Sequence, residues 1–413
     1  MIRPDGPAEL VAFRAAAALV ALHVLVDAFV APEPGVARSD NLLSAAVPLV
    51  LLALAAWAYP RLRPGARAAV ALVLGPLALT GVGIAVVHAA AEGPSGDDWT
   101  GFLLLPVGVA LCVVGLVLLW RSRRPHGRRY LRRALLLAGA VVAAYWVLAP
   151  IVLSLVVTHR PRVAVEAADL GRPYETVSVE TSDGLALAAW YVPSENGAAV
   201  IAFPGRSGPV EHARMLVRRG YGVLLLDMRG QGESEGNPNA LGWGSARDLE
   251  AAVSLLEALP DVEPGRIGGL GLSVGGELML EAAAGDPRLR AVVSEGAGER
   301  SVRENTLRGP SGWVSLPTLA TLTAATAVFS GTAPPPALQD LVGRIAPRPV
   351  FLIYARDGQG GEELNPHYYE AAGEPKTLWE IPDGGHTGGI DARPEEYEER
   401  VVGFFDAALL GEG

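Results

Sequence analysis

Long apolar blocks dominate the first 160 residues of the chain, and short apolar runs dominate the rest. A helix that spans the ~30 Å hydrocarbon core of a membrane needs roughly 20 apolar residues. The breaks between the long blocks are rich in Pro, Gly or charge. The pattern therefore predicts an all-α membrane module over residues 1–160, with about five spans at 12–31, 42–60, 68–91, 101–120 and 134–157.

The positions of the arginines predict how this module is oriented. Basic loops between spans stay in the cytoplasm. Loop 61–67 has three Arg and loop 121–133 has seven, whereas the first loop has only Arg38. We therefore expect a cytoplasmic N-terminus, and five spans then place the rest of the chain outside the cytoplasm. The fifth span is the weak point because it contains Pro150; if it does not cross, the C-terminal half is cytoplasmic.

Past residue 173 the pattern changes to short β-rich runs separated by turns and amphipathic stretches, which is typical of alternating strands and helices. The later runs are continuously apolar, as parallel strands buried on both faces are. We expect residues 161–413 to form an α/β domain with a doubly wound, mostly parallel sheet, whose ligands lie beyond the carboxyl ends of the strands. Eight strands are predicted, at 176–181, 185–192, 198–203, 222–227, 267–272, 290–295, 349–354 and 377–382.

Two stretches, 232–236 and 271–275, match the pattern Gly-x-Ser-x-Gly. Ser273 follows an apolar strand and precedes a helix, and its flanking glycines allow the sharp turn that exposes a nucleophilic hydroxyl. Ser234 lies between two Glu, whose carboxylates oppose formation of an alkoxide. Ser273 is therefore the predicted nucleophile, and Ser234 is expected to have a structural role in a turn.

A serine nucleophile needs a general base. Three histidines lie beyond the membrane module and its border. His212 and His367 fall on helices and are expected at the surface. His386 follows the last strand in a glycine-rich loop, which can carry an imidazole to the edge of the sheet, and it is the predicted base.

The base in turn needs an acid that orients it. Asp357 comes just after a predicted strand and is followed by Gly358, as a carboxylate in a strand-end turn is. We predict Asp357 as the acid. Glu362 and Glu363, in the same loop, are the competing candidates.

Residues from about 173 to 410 resemble the α/β-hydrolase superfamily, in which nucleophile, acid and base follow one another in the order of Ser273, Asp357 and His386. The stretch 227–234, Asp-Met-Arg-Gly-Gln-Gly-Glu-Ser, is similar to the D-x-R-G-x-G-x-S turn of many bacterial esterases, acyl hydrolases and serine aminopeptidase-like members. The resemblance implies the fold and a catalytic triad, and it says little about the substrate.

The chain departs from this family where an oxyanion hole is expected. The family usually has His-Gly after the third strand, and here Pro204 stands in place of His. Because the hole uses backbone N–H groups, the resemblance implies that Arg206 and Val274 supply its two donors. The side chain of Arg206 is expected to be exposed in a loop, with contact to an anionic substrate group as the alternative.

Between the sixth and seventh strands, residues 299–346 leave the α/β rhythm. Such an insertion commonly forms a cap in this family. The nearly uncharged stretch 313–329 fits a lid helix that lines an acyl pocket, or a segment packed on the bilayer. A sixth span is not expected, because a crossing within the sheet would separate His386 from Ser273.

Composition and charge exclude several classes of protein. The 413 residues include 50% hydrophobic residues and a single Cys, which excludes a disordered or disulfide-rich chain. Residues 1–160 hold 14 Arg and 8 acidic residues, whereas residues 161–413 hold 20 basic and 36 acidic residues. The acidic second half lacks a basic, aromatic-interleaved patch, so no nucleic-acid partner is expected. No motif for a metal or organic cofactor is present, so none is expected.

The sequence thus predicts an integral membrane protein of a bacterial cell membrane, with an extracytoplasmic serine hydrolase domain. The expected reaction is cleavage of carboxylic esters, including lipid or acylated envelope substrates, through an acyl-enzyme. A serine peptidase or acyltransferase on the same triad is the first alternative, and a non-catalytic membrane scaffold or transporter is the second. His23, Asp27 and His88 fit a hydrogen-bond cluster between spans, or a proton-handling or sensory site. The oligomeric state is left open.

Overall fold

A computed structural model describes residues 7–33, 36–94, 96–121, 139–140, 142–356, 358 and 360–411 of the chain. The chain folds into two compact units. The helical unit comprises residues 1–162 and 317–332, and the sheet unit comprises residues 163–316 and 333–413. Residues 317–332, which lie within the insertion between the sixth and seventh strands, belong to the helical unit.

The sheet unit has eight strands, which are β1 Glu175–Glu180, β2 Ala186–Val192, β3 Ala199–Phe203, β4 Gly222–Leu226, β5 Ile267–Leu272, β6 Leu289–Glu295, β7 Val350–Ala355 and β8 Lys376–Ile381. They form one sheet in the order β1-β2-β4-β3-β5-β6-β7-β8. Strand β2 is antiparallel to both β1 and β4, and the other neighbours are parallel. The predicted eight-stranded, mostly parallel sheet is confirmed, and each observed strand overlaps its predicted run.

Both faces of this sheet are covered, which explains why its central strands are apolar at every position. Ala199, Ile201 and Phe203 of β3 join one buried apolar cluster, and Val200 and Ala202 join the other. This alternation is the two-residue period of a strand, with each face buried in turn. The helices of this unit are Val210–Arg218, Ala246–Ala258, Val274–Gly285, Val302–Asn305, Asn365–Ala371, Gly389–Ala392 and Pro394–Phe405.

The helical unit contains long apolar helices. Their bounds are Pro7–Leu25, Leu42–Ala58, Pro64–Glu92, Gly96–Phe102, Leu104–Arg121 and Ala149–Thr158, with π-helical segments at Val26–Val30 and Ala144–Leu148. Helices Pro64–Glu92 and Leu104–Arg121 pack closely on each other, and Phe13 stacks on Tyr59 with ring centroids 3.7 Å apart. Small and aromatic side chains therefore form the core of this unit.

Five helices of the chain are long and apolar enough to span a membrane: Glu9–Val30, Leu42–Arg61, Pro64–Ala91, Asp98–Trp120 and Pro310–Ser330. The first four match the first four predicted spans. Part of the fifth predicted span, 134–157, lies outside the described residues, and its described end belongs to a shorter apolar helix, Ala144–Thr158. The basic loop 121–133 lies almost wholly outside them too.

The ionisable groups singled out in the spans make hydrogen bonds and ion pairs within the helical unit. His23 Nδ1 lies 2.9 Å from Thr100 Oγ1, and His88 Nε2 lies 3.2 Å from the carbonyl oxygen of His159. Asp27 lies 3.9 Å from the ring of His159. Among the described residues no group of three or more His, Cys, Asp or Glu is arranged to hold a metal ion.

The helix Pro310–Ser330, which we call the insertion helix, begins in the sheet unit and ends in the helical unit. Ser154 Oγ and Thr326 Oγ1, both buried, lie 3.1 Å apart, and the rings of His159 and Phe329 meet edge to face. The insertion predicted as a lid thus contains a helix whose C-terminal part packs with apolar helices of the membrane module.

Candidate active site

Ser273 lies at the sharp turn between β5 and the helix Val274–Gly285. Its backbone has φ 54° and ψ −124°, a conformation that is costly for a residue with a side chain. The two flanking glycines are required by close approach: a Cβ on Gly271 would lie 2.2 Å from the carbonyl oxygen of Gly275, and one on Gly275 would lie 2.5 Å from that of Phe203. The turn is the strand-to-helix elbow that exposes a serine hydroxyl above a sheet.

His386 follows β8, and its Nε2 lies 2.8 Å from Ser273 Oγ. The two residues are 113 positions apart in the chain, and the parallel strands bring them to the same edge of the sheet. The imidazole is 35% exposed, so its ring is accessible while one side is held by protein. The arrangement lets His386 accept the proton of the serine hydroxyl.

The acid beside the imidazole is Glu362. Its Oε1 is hydrogen-bonded to His386 Nδ1, and its Oε2 accepts the backbone N–H of Ala355 at 2.9 Å. The carboxylate is fully buried. Asp357, the predicted acid, lies outside the described residues, and Glu362, one of its two competitors, occupies the place at Nδ1.

The loop geometry explains why Glu362 reaches the imidazole. Gly360 and Gly361 have φ +71° and +97°, so the chain makes a tight turn directly before Glu362. The Gly360-Gly361 pair is the feature of the sequence that could have pointed to Glu362 as the partner of the imidazole. The prediction instead relied on the position of Asp357 next to the strand end. Glu363, the other competitor, faces away and pairs with Arg308 at 2.7 Å.

The electrostatic surroundings raise the pKa of His386 above its ordinary value. The hydrogen bond to Glu362 is the largest cause, partial burial opposes it, and the negative charges of Glu362, Glu295 and Glu277 add to the rise. A carboxylate at Nδ1 stabilises the imidazolium that forms when the ring takes a proton. The carboxylates thus make the ring a stronger base than free histidine.

Glu295, at the end of β6, connects the nucleophile turn with the loop that carries the base. Its carbonyl oxygen accepts the N–H of Ser273 at 2.8 Å, and its carboxylate accepts the N–H of Gly389 at 2.8 Å and the hydroxyl of Tyr397 at 2.7 Å. Burial raises the pKa of Tyr397 well above its ordinary value, so this hydroxyl stays protonated and donates. The sequence analysis did not single out Glu295, because no motif marks it.

His212 was expected at the surface and is buried. Its ring lies 3.5 Å from the carboxylate of Glu295 and packs edge to face on Tyr397. The expectation was wrong because it took a helix position for an exposed one, whereas this helix face covers the sheet. His367 is half-buried and lies on the helix Asn365–Ala371.

The structure contradicts the assignment of Arg206 to the oxyanion hole. Its backbone N–H donates to Asp227 Oδ1 at 2.7 Å, so this group is directed at a buried carboxylate. The side chain is 2% exposed and donates from Nε to Asp227 Oδ2 at 2.8 Å. Asp227, buried at the end of β4, requires these donors because an unpaired buried carboxylate is costly. Arg206 is thus neither an exposed loop residue nor a free backbone donor.

Val274, the other predicted donor, is the first residue of its helix. The first N–H groups of a helix have no partner within it, and the helix dipole places partial positive charge there. The backbone N–H next to Ser273 is therefore suited to a developing oxyanion.

Ser234 lies buried in its turn. Its Oγ accepts the N–H of Ala188 at 2.9 Å and donates to the carbonyl oxygen of Asp227 at 3.3 Å. A Cβ on Gly232 would lie 2.2 Å from Asp227 Oδ2, so the turn closes tightly over this carboxylate. These contacts fit the structural role predicted for Ser234.

Comparisons with known proteins agree with this geometry. The model of the X-Pro dipeptidyl-peptidase (S15) family matches residues 161–360, a range that includes Ser273 and ends before His386. The protein YfhR of Escherichia coli K12 is 28% identical over 57% of this chain and 81% of its own length. The α/β hydrolase domain-containing protein WAV2 of Arabidopsis thaliana is 29% identical over 32% of this chain and 45% of its own length.

A solved structure matches a larger share of the chain than the family model does. The Pyrococcus furiosus esterase Pf2001 matches with a TM-score of 0.50 and 26% identity, over 60% of this chain and 97% of that one. The sheet order and the strained serine turn described above are those expected of such a fold. The chain therefore has the α/β-hydrolase fold in its sheet unit, preceded by apolar helices, and is similar to proteins of that superfamily.

Proposed function

We propose that this protein is a membrane-anchored serine hydrolase that cleaves carboxylic esters through an acyl-enzyme. Ser273 attacks the carbonyl carbon while His386 takes the hydroxyl proton. His386 then gives that proton to the leaving alcohol, and Glu362 holds the imidazolium. Water repeats the sequence on the acyl-enzyme and releases the acid.

One observation carries this proposal: Ser273 Oγ, the His386 ring and the Glu362 carboxylate form a continuous hydrogen-bonded chain. The strained backbone of Ser273 adds support, since such strain persists where the surrounding structure maintains it for function. The N–H of Val274 is the proposed oxyanion donor, and the second donor is one other than the backbone N–H of Arg206.

Ester cleavage is favoured over amide cleavage by the likeness to an esterase over nearly the full length of that protein. A peptidase is the second candidate, favoured by the match to the X-Pro dipeptidyl-peptidase family. Both reactions use the same triad chemistry, so only the substrate separates them. An acyltransferase would differ in the acceptor, an alcohol in place of water.

Membrane anchoring is supported by the four helices between Glu9 and Trp120 that are long and apolar enough to span a membrane. The arginine distribution supports an extracytoplasmic hydrolase domain. Acylated lipids or envelope components are then the proposed substrates, because they lie at the same surface. A reporter enzyme fused after residue 413 should be active outside the cytoplasm; activity only inside would contradict this orientation and leave the triad proposal intact.

The test of the catalytic proposal is active-site labelling with a fluorophosphonate in detergent-solubilised full-length protein, together with hydrolysis of a series of p-nitrophenyl esters and aminoacyl amides. Wild type should be labelled and should turn over esters faster than amides. Ser273→Ala should lose both activities. Ser178→Ala, which changes an exposed serine on β1, is the matched control and should retain both.

Each outcome decides between the candidates. Labelling with faster amide turnover would favour the peptidase. Equal labelling of wild type and Ser273→Ala would mean that another residue is the nucleophile. A folded wild type without labelling or turnover would favour the non-catalytic scaffold.

A further inference from the structure

The insertion helix is uncharged along its whole length, and most of its residues are half-buried or exposed. Residues 310–330 include no Asp, Glu, Lys, Arg or His. Within this fully described helix only Gly312 and Thr326 are buried, and Trp313 and Val314 are 63% and 62% exposed. Exposure of large apolar side chains to water over such a continuous stretch is energetically unfavourable.

Several hydroxyl groups of this helix bond back to the preceding turn, whereas the buried Oγ1 of Thr318 has no partner among the described residues. Thr321 and Ser330 donate to the carbonyl oxygens of Pro317 and Thr326, at 2.8 and 2.7 Å. In hydrocarbon no water can satisfy a hydroxyl, and bonding back to the preceding turn removes the cost. Residues 317–330 of the helix belong to the helical unit, within which Thr326 makes a buried hydrogen bond with Ser154.

The sheet excludes a complete crossing by the insertion helix. Strand β6 precedes the helix and β7 follows it, and the two are hydrogen-bonded neighbours in one sheet. Both ends of the insertion must therefore lie on the same side of any membrane. A helix of this length extends ~30 Å, so its length and composition alone would suffice for a membrane span. The pairing of β6 with β7 is incompatible with such a span.

The two flanks of the helix suit entry and return on one side. Arg308, just before it, pairs with Glu299 at 3.0 Å and with Glu363 at 2.7 Å, which holds a charged cluster at its beginning. After it, residues 331–337 are non-helical and include three consecutive prolines. Proline has no backbone N–H, so these prolines reduce the number of N–H groups that would be left without a hydrogen-bond partner near lipid.

We propose that the insertion helix contacts the acyl chains of the lipid bilayer and enters and leaves it on the side of the hydrolase domain. The partner of this surface is the hydrocarbon of the membrane. The hydrolase domain is thus attached to the membrane at two places in the chain, the N-terminal module and the insertion between β6 and β7.

The test uses full-length protein with Cys112→Ala, reconstituted in vesicles of phosphatidylethanolamine and phosphatidylglycerol. A nitroxide is attached to a cysteine at Ala320 or Ala324, both exposed on the helix, and at Ala258, exposed on the sheet unit, as the matched control. Collision with oxygen, which partitions into hydrocarbon, is compared with collision with a water-soluble nickel complex. The ratio of oxygen to nickel collisions should be several-fold higher at the two helix positions than at Ala258.

Two further measurements address topology and perturbation by the labels. Cysteines at Ser311 and Ala333, on either flank, should react with a membrane-impermeant maleimide from the same side as one at Ala258. In the unaltered chain, a photoactivatable lipid should modify the tryptic peptide 309–344.

The opposing results are distinct. Nickel access at Ala320 and Ala324 equal to that at Ala258 would mean a water-exposed lid, and low access to both reagents would mean that a second copy covers the helix. Maleimide reaction on opposite sides would mean a true span. Each of these overturns the proposal. None of the readouts requires turnover, so they are independent of the catalytic proposal.

Discussion

The two Gly-x-Ser-x-Gly turns of the sheet unit have the same pattern and opposite structures. In the turn 232–236 the positive φ angles fall on the glycines, at 53° and 104°, and the serine is buried with both of its hydrogen-bonding roles used by backbone. In the turn 271–275 the positive φ falls on Ser273 itself, and its hydroxyl faces an imidazole. The glycine pattern therefore permits a tight turn in both places. Whether the serine itself adopts the positive φ depends on the strands and helices that surround the turn.

The largest expected effect is the loss of activity in Ser273→Ala and in His386→Ala, which would distinguish Ser273 from Ser234. Each should lower kcat/KM by about 10⁴-fold or more, because a triad acts as a unit. Steady-state kinetics measure the loss, and thermal unfolding shows whether the variants remain folded. A retained rate in either variant would remove the distinction between the two serines.

The next effect concerns the acid. Glu362→Gln should lower kcat/KM by about 10⁴-fold, because an amide at Nδ1 allows the wrong tautomer of the imidazole. Asp357→Asn is the matched comparison, and we expect it to change kcat/KM little since Glu362 already occupies Nδ1. The reverse ranking of the two variants would return the acid's role to Asp357.

A smaller effect is expected in the pH profile. The base must be neutral to accept a proton, and the pKa of His386 is raised, so kcat/KM should rise with pH and level off above a midpoint higher than 6.5. In the residual activity of Glu362→Gln this midpoint should move to lower pH, since the largest cause of the rise is gone. An unchanged midpoint would show that another group titrates.

The smallest catalytic effect is expected from Ser234→Ala. The variant should lose about 1 kcal/mol of unfolding free energy, because the half-buried N–H of Ala188 loses its acceptor, and it should keep fluorophosphonate labelling. Denaturant unfolding and labelling of the folded fraction measure the two quantities. Loss of labelling at full stability would give Ser234 a direct part in the chemistry.

In both units, sequence patterns were sufficient to predict most of the secondary structure. The strands were predictable because burial on both faces makes each one continuously apolar, and β3 to β5 are buried at every position. The first four long apolar helices were predictable for a related reason, since each is a continuous run of about 20 mostly apolar residues. The insertion helix was harder, because the same composition suits a lid, a lipid contact or a span.

The sequence by itself determined the fold class, the candidates Ser273 and His386, and the presence of a series of long apolar helices, because local periodicity and strand-end position encode these features. Three features were decided by the tertiary structure alone. Glu362 is hydrogen-bonded to the imidazole of His386, the backbone N–H of Arg206 donates to Asp227, and His212 is buried beside Glu295. These outcomes depend on where loops from distant strands converge. Hydrogen-bond partners over such separations are selected by the geometry of the folded sheet, and the linear order of residues does not contain that geometry in any local pattern.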